Sequence, residues 1–206
     1  PMSLWESGES NGKVSLLRLF AGQRDVAIAP DHSLSDLSFM VCRGGWPSSL
    51  NMKRTAALRQ AQNYMNAVCE SDISRVDNTV RDATFARRLL RSYARHQGAQ
   101  VPISTIYADL ASSKEGSMSE ETISSYITAL KKIFVVEDMP AWSPNLRSKT
   151  AIRTSETRYF VDSSVATAAL GMGPKDLENN LNAFGLMFET MAVRDLRVYA
   201  EALDGD

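Results

Sequence analysis

The chain holds little with which to build a metal centre, a disulfide framework or a charged docking field. Its 206 residues include only two cysteines and two histidines. Cys42 and Cys69 stand far apart and near no histidine pair. That excludes a Cys/His zinc spacing and a disulfide scaffold, and it fits a reducing, cytoplasmic setting. Charge of one sign is equally scarce: 23 Lys and Arg face 24 Asp and Glu, a formal net charge of −1. No global field drives such a chain onto nucleic acid or anionic lipid, so any such contact must come from a local patch. Long apolar runs and a basic-then-apolar leader are also lacking, which argues against a membrane span, a membrane partner or a secretion signal.

A phosphate-binding loop is missing too, although Gly8 to Lys13 comes near one. Such a loop needs four residues between its glycines and a Ser or Thr after the Lys, where the hydroxyl reaches magnesium. Here three residues separate Gly8 from Gly12, and Val14 follows Lys13. The strand that should launch the loop is absent as well. The opening Pro1-Met2 and the closing Asp204-Gly205-Asp206 give the expectation of a piece excised from something larger.

What is present is helical periodicity. Ser15 to Phe20 reads as a short helix, and Ser33 with Asp36 forms a capping box for a second, carrying Leu34, Leu37 and Val41. Gly44-Gly45 ends it through left-handed backbone, and Pro47 prevents its resumption. Leu50 to Ser71 carries Leu58, Ala61, Met65 and Val68 at helical spacing. Asp82 or Thr84 opens the next helix, with Phe85, Leu89 and Tyr93 inward and Arg87, Arg91 and Arg95 opposite. Ser104 to Leu110 is a short helix, and Ser112 to Ser117 a polar turn. Ser119 caps Glu120 to Ile133, whose spacing places Ile123, Ile127, Leu130 and Phe134 on the buried face. Val135-Val136 and Tyr159-Phe160-Val161 are strand-like and flank a loop, Pro140 to Thr157, that together with Arg158 carries four basic residues. Helices followed by two strands around a basic loop give the order of a winged helix-turn-helix. After Asp162 the pattern predicts a helix at 165–170 and a long one at 176–203, with Leu177, Leu181, Phe184, Phe188, Met191 and Leu196 as its apolar side.

Nucleic-acid candidates follow from that order, since the second helix of such a pair presents its outward side chains to the major groove. Outward positions are Thr122, Ser125, Tyr126, Ala129 and Lys132, with Lys131 beside them. Glu120 and Glu121 at the tip oppose phosphate. The loop supplies a better patch, Arg147, Lys149, Arg153 and Arg158. A stripe of Arg81, Arg87, Arg88, Arg91 and Arg95 is explained as well by a solvated face paired with Asp72 and Asp77. Neither His32 nor His96 sits in a nucleophile motif, and Asp72, Asp82, Asp162 and Glu189 show no spacing of a metal pair. Acids so placed serve as caps and salt-bridge partners. Trp5, Trp46 and Trp142 read as packing anchors.

A family resemblance orders these segments. Met2-Ser3-Leu4-Trp5-Glu6-Ser7-Gly8-Glu9-Ser10 resembles a stretch late in the ATPase core of bacterial and archaeal AAA-type ATP-binding proteins. Arg43-Gly44-Gly45-Trp46-Pro47 resembles that family's lid turn. Asp72-Ile73-Ser74-Arg75, Leu89 to Arg95, Thr122 to Tyr126 and Arg158-Tyr159-Phe160-Val161-Asp162 resemble its later landmarks. The resemblance implies a mainly α chain with a small β component: a tail of the ATPase core at 1–33, a helical lid at 34–71, a winged helix-turn-helix at 72–162, and the opening helices of a truncated PD-(D/E)XK-like nuclease region at 163–206. It implies ATP and magnesium for the whole protein and no cofactor for this part, with Ser7, Gly8, Glu9 and Ser10 near the nucleotide. Glu189 is the position that carries over to a nuclease-like metal site. The implied role is non-catalytic coupling of a nucleotide-binding core to double-stranded DNA or a protein partner. A DNA-binding regulator and an oligomerisation module, using Leu177 to Tyr199, are the competing expectations.

Overall fold

The computed structural model describes residues 1–24, 32–111, 118–142 and 155–203. The described chain is mainly helical. Its helices are α1 (Leu16–Phe20), α2 (Leu34–Arg43), α3 (Arg54–Ala67), α4 (Ile73–Arg75), α5 (Ala83–Arg95), α6 (Ile103–Ala111), α7 (Glu120–Lys132), α8 (Ser163–Leu170), α9 (Pro174–Asn179) and α10 (Leu181–Glu201). The caps expected from sequence set several of these starts. Ser33 and Asp36 close a reciprocal box at α2, Asp82 accepts from Phe85 N–H at α5, and Ser119 accepts from Thr122 N–H at α7. Each cap satisfies a backbone donor that the first helical turn leaves free.

One apolar core runs through the described residues. α5 contributes Phe85, Ala86, Leu89, Leu90 and Tyr93, α7 contributes Ile123, Ile127 and Leu130, and α2, α3 and α8 add Val41, Met65 and Val165. Burying each large side chain favours folding by about 1.5–3 kcal/mol, so these residues supply most of the driving force. Short α8 is the keystone, touching α2, α3, α5 and α10.

The small β component is a set of isolated antiparallel bridges, and no sheet forms among the described residues. Segment 155–161 lies between two others: Thr157 bridges Gln100 on one side and Met139 on the other, and Phe160 bridges Val136. Backbone bonds join Gly98 N–H to Arg158 O at 2.8 Å and Glu137 N–H to Tyr159 O at 2.9 Å. The pairing through Gln100 is not expected from sequence, because Ala99 to Val101 is too short and too polar to show strand alternation.

Three expectations need correction. The helix expected from Leu50 begins at Arg54 and gives way at Val68 to a wide π-type turn, Val68–Asp72. Phe134 is 75% exposed rather than buried. Its backbone is left-handed, with φ of +54°, so the chain leaves the helix there and Val135 takes the inward place. The single helix at 176–203 breaks at Asn180, whose side chain caps Ala183 N–H at 3.1 Å. The new register turns Leu181 and Leu196 outward and puts Met187, Thr190, Met191, Arg194 and Asp195 inside.

Candidate functional site

Three of the segments carrying the resemblance meet at one buried polar hub. Its centre is Asp162, the N-cap of α8, whose side chain is fully buried. One carboxylate oxygen accepts from Gly45 N–H and from Arg194 Nη1, both at 2.9 Å. The other accepts from Ser164 N–H at 2.9 Å. Arg194 turns its Nε and Nη2 onto Asp195 at 2.9 and 2.7 Å, and Asp195 in turn accepts from Leu4 N–H at 2.9 Å. Met2 N–H reaches Gly45 O at 2.8 Å, and Arg43 pairs with Glu9. Trp46 donates its indole N–H to Ser164 at 2.9 Å and packs on Tyr64, with ring centres 4.8 Å apart.

The Gly44-Gly45 pair is dictated by this closeness. Gly44 has φ of +73°, and a Cβ there would collide with the Asp162 carboxylate. A Cβ on Gly45 would collide with the Met2 backbone. Burial opposes ionisation of Glu9, but Arg43 and Ser7 outweigh it and hold its carboxyl below the usual range. Burial likewise works against the Arg194 charge, and Asp162 and Asp195 more than offset it.

The expected nucleotide-proximal loop is therefore occupied with its own contacts. The Ser7 hydroxyl lies against Ser3 O and the Glu9 carboxylate, and His32 Nε2 is 3.0 Å from Glu9 O. Gly8 is left-handed, with open space beside it, and Ser10 N–H bonds Leu4 O at 2.8 Å. With Glu9 facing inward and Ser7 committed, these residues do not form a phosphate cradle. Glu189, the nuclease-like candidate, accepts a hydrogen bond from Tyr159 OH, and among the described residues no group of three His, Cys, Asp or Glu side chains could hold an ion. Together Glu189 and burial push the Tyr159 hydroxyl up to about 12, burial being the larger cause.

The helix-turn-helix candidates divide. Ser125 and Lys132 are exposed on α7, as expected. Tyr126 and Ala129 are buried, a correction to their outward placement. The Tyr126 ring packs edge-on against Phe85 at 4.9 Å, and its hydroxyl accepts from Asp82 N–H at 2.8 Å. Lys131 is bound to Glu156 at 2.8 Å and to Asp138 at 3.0 Å. Arg158 is not a surface cation of the loop. It is buried, pairs with Asp138 and donates twice to Val101 O, at 3.1 and 2.9 Å. Arg147, Lys149 and Arg153 lie outside the described residues, as does the turn Ser112 to Ser117.

The arginine stripe divides: Arg91 and Arg95 are exposed, Arg87 and Arg88 are half-buried, and Arg81 is buried, a correction to the solvated-face reading. Arg81 is bound by Asp77 at 2.7 Å as expected, whereas Asp72 pairs with Arg75 and Arg87 with Glu70. Arg88 donates to Leu110 O, and Arg95 lies 3.4 Å from Asp109. His96, read as a surface residue, is bonded to Asp109 at 2.9 Å. Of the tryptophans only Trp46 anchors packing; Trp5 and Trp142 are 60% and 85% exposed. No described helix is long and apolar enough to cross a membrane.

A family of domains known as DUF8612, a domain of unknown function, matches residues 34–176. The chain belongs to this family. The DUF8612 region takes in Arg43, the Gly44-Gly45 turn, α5 to α7 and Asp162, while Glu9, Arg194 and Asp195 lie outside it. No curated protein and no solved structure matches the chain.

Proposed function

We propose that this chain is the C-terminal, non-catalytic part of an AAA-type ATPase, which couples a nucleotide-binding core to DNA or protein binding through a winged helix. The observation that carries it is the hub. The segment resembling the tail of an ATPase core is held to the lid-like turn and to α10 by buried, charge-assisted bonds. Movement of that segment would therefore be transmitted rather than absorbed, since such contacts switch between discrete arrangements.

Support for the winged-helix part comes from element order. α5 leads to the short extended piece around Gln100, then α6 and α7, then segments 135–139 and 155–161, with the last between the other two. The small antiparallel arrangement of segments 135–139 and 155–161 is what a wing requires. A second reading, an oligomerisation or docking module, is favoured by Leu181, Leu196 and Phe188 on α10, which are 63%, 52% and 39% exposed.

The test of the non-catalytic role is direct. Pure protein given ATP and magnesium is expected to show no turnover and no tight nucleotide binding. Magnesium-dependent hydrolysis that copurifies with the chain would sink the reading.

A further inference from the structure

We infer that the groove between α7 and the segment leading into α5 docks a basic protein segment with an apolar anchor, rather than nucleic acid. This deepens the coupling role proposed above and rests on it. The groove encloses about 780 Å³ and is lined by Thr79, Val80, Met118, Glu121, Thr122 and Ser125, among others. Val80 is 95% exposed, an aliphatic side chain standing almost wholly in water at the edge of a concave surface.

The groove has a fixed shape. Arg81 N–H donates to Ser74 Oγ at 3.0 Å, its Nη2 reaches Ser125 Oγ at 3.2 Å, and Asp82 N–H donates to Tyr126 OH at 2.8 Å. The Arg81 guanidinium also lies 5.5 Å over the Tyr126 ring. These ties fasten residues 81–82 to α4 and α7, so a docked segment would meet a preformed surface and lose less to ordering.

Charge selects the occupant. Glu121 and Asp82 line the groove and are exposed, Glu120 is exposed next to Glu121 on α7, and a hydrogen bond from Ser119 holds the Glu121 carboxyl below its ordinary range. Among the described residues the cation lining the groove is Arg81, already neutralised by Asp77. Lys131 is turned away onto Asp138 and Glu156, which leaves Lys132 as the exposed cation at the far end of α7. A phosphate backbone laid along this helix would meet carboxylates first and release few counterions. A peptide bearing Lys or Arg beside an aliphatic residue would satisfy both Glu121 and Val80, the arrangement of rim charge around an apolar anchor seen in specific interfaces.

The test uses the whole chain and fluorescent probes followed by anisotropy: a short peptide alternating Lys and Leu, its Glu/Leu counterpart, and a short random duplex. The expected result is that the Lys/Leu peptide binds at least about tenfold tighter than the Glu/Leu peptide, and that Glu120→Lys with Glu121→Lys removes that preference. Val80→Asn, at a position with nothing to unfold, is expected to weaken the peptide about threefold without changing the circular dichroism of the chain. Equal binding of both peptides, or binding untouched by either variant, overturns the proposal. Salt-sensitive duplex binding that strengthens with the two Lys substitutions while the peptide stays unbound also overturns it, and leaves the coupling role standing with DNA as partner. Self-association blocked by Val80→Asn would replace the basic segment with a second copy and overturn it equally. ATP turnover by the pure chain would remove the coupling role while leaving the groove result to be read by itself.

Discussion

Asp138 and Asp162 are both fully shielded carboxylates paired with a buried arginine, yet they are held in different ways. Asp162 takes two backbone donors, Gly45 N–H and Ser164 N–H, together with the Ser164 hydroxyl and Arg194, its one cation among the described residues. Asp138 is gripped by side chains from three places, Tyr93 on α5, Lys131 on α7 and Arg158 in the central extended segment. A carboxylate satisfied by backbone donors specifies one chain path, because those donors have no alternative partner out of water. One satisfied by long side chains can lose a partner and keep the others. The hub is therefore the rigid junction of the molecule, and the Asp138 cluster its more forgiving one.

The sharpest way to break this comparison is Asp162→Ala. It strips a buried arginine of a partner and orphans two backbone donors, so the expected cost is about 3–5 kcal/mol, or roughly 10 °C in melting temperature. Amide exchange at Leu4 is expected to rise with that at Gly45, since Arg194 would no longer hold Asp195 beneath the N-terminal segment. Protection that is lost at Gly45 and kept at Leu4 would show that the two ends of the hub are independent.

Asp138→Asn comes next, at about 2 kcal/mol, because the amide keeps the shape and an acceptor while Arg158 retains Val101 O. The change also has a signature in pH. Burial opposes the Asp138 charge, but Tyr93, Lys131 and Arg158 outweigh it, so the folded carboxyl titrates below its unfolded value. A depressed carboxylate contributes fully above the unfolded value, about 3.9, and loses that contribution as pH falls through the folded one. The wild-type chain is therefore expected to lose stability more steeply than Asp138→Asn below about pH 4. Parallel acid melting curves for the two proteins would contradict the assignment.

These contrasts also explain what the sequence made legible. Caps at Ser33, Asp82 and Ser119 were readable because each is a local bond between a side chain and a backbone donor two or three residues on. The core faces of α5 and most of α7 followed from apolar spacing. The π-type turn after α3 and the break at Asn180 had no periodic signal, since Val68 and Leu181 continue the hydrophobic pattern across them. Nothing in the sequence marks Arg194 and Asp195 as buried. Only the distant Asp162 and the Leu4 amide make burying them favourable, and a sequence does not display partners more than thirty residues away. Arg158 misled in a related way: it reads as one more cation of a basic loop until Asp138 and the distant Val101 carbonyl are placed beside it.

The smallest expected effect lies at the open side of the Asp138 cluster. Lys131 is 37% exposed and shared between Asp138 and Glu156, so solvent screens much of its attraction. Lys131→Met is expected to cost only about 0.5–1 kcal/mol, and added salt is expected to narrow the gap between the two proteins. Burial alone would lower the Lys131 ammonium, but its two carboxylates raise it above its ordinary value. A raised cation contributes fully below its unfolded value, about 10.4, and that contribution is lost as pH climbs through the folded one. The difference between wild type and Lys131→Met is thus expected to be constant near neutral pH and to close only in strong alkali. A cost as large as that of Asp162→Ala, insensitive to salt, would show that the cluster is as rigid as the hub and would erase the distinction between the two acids.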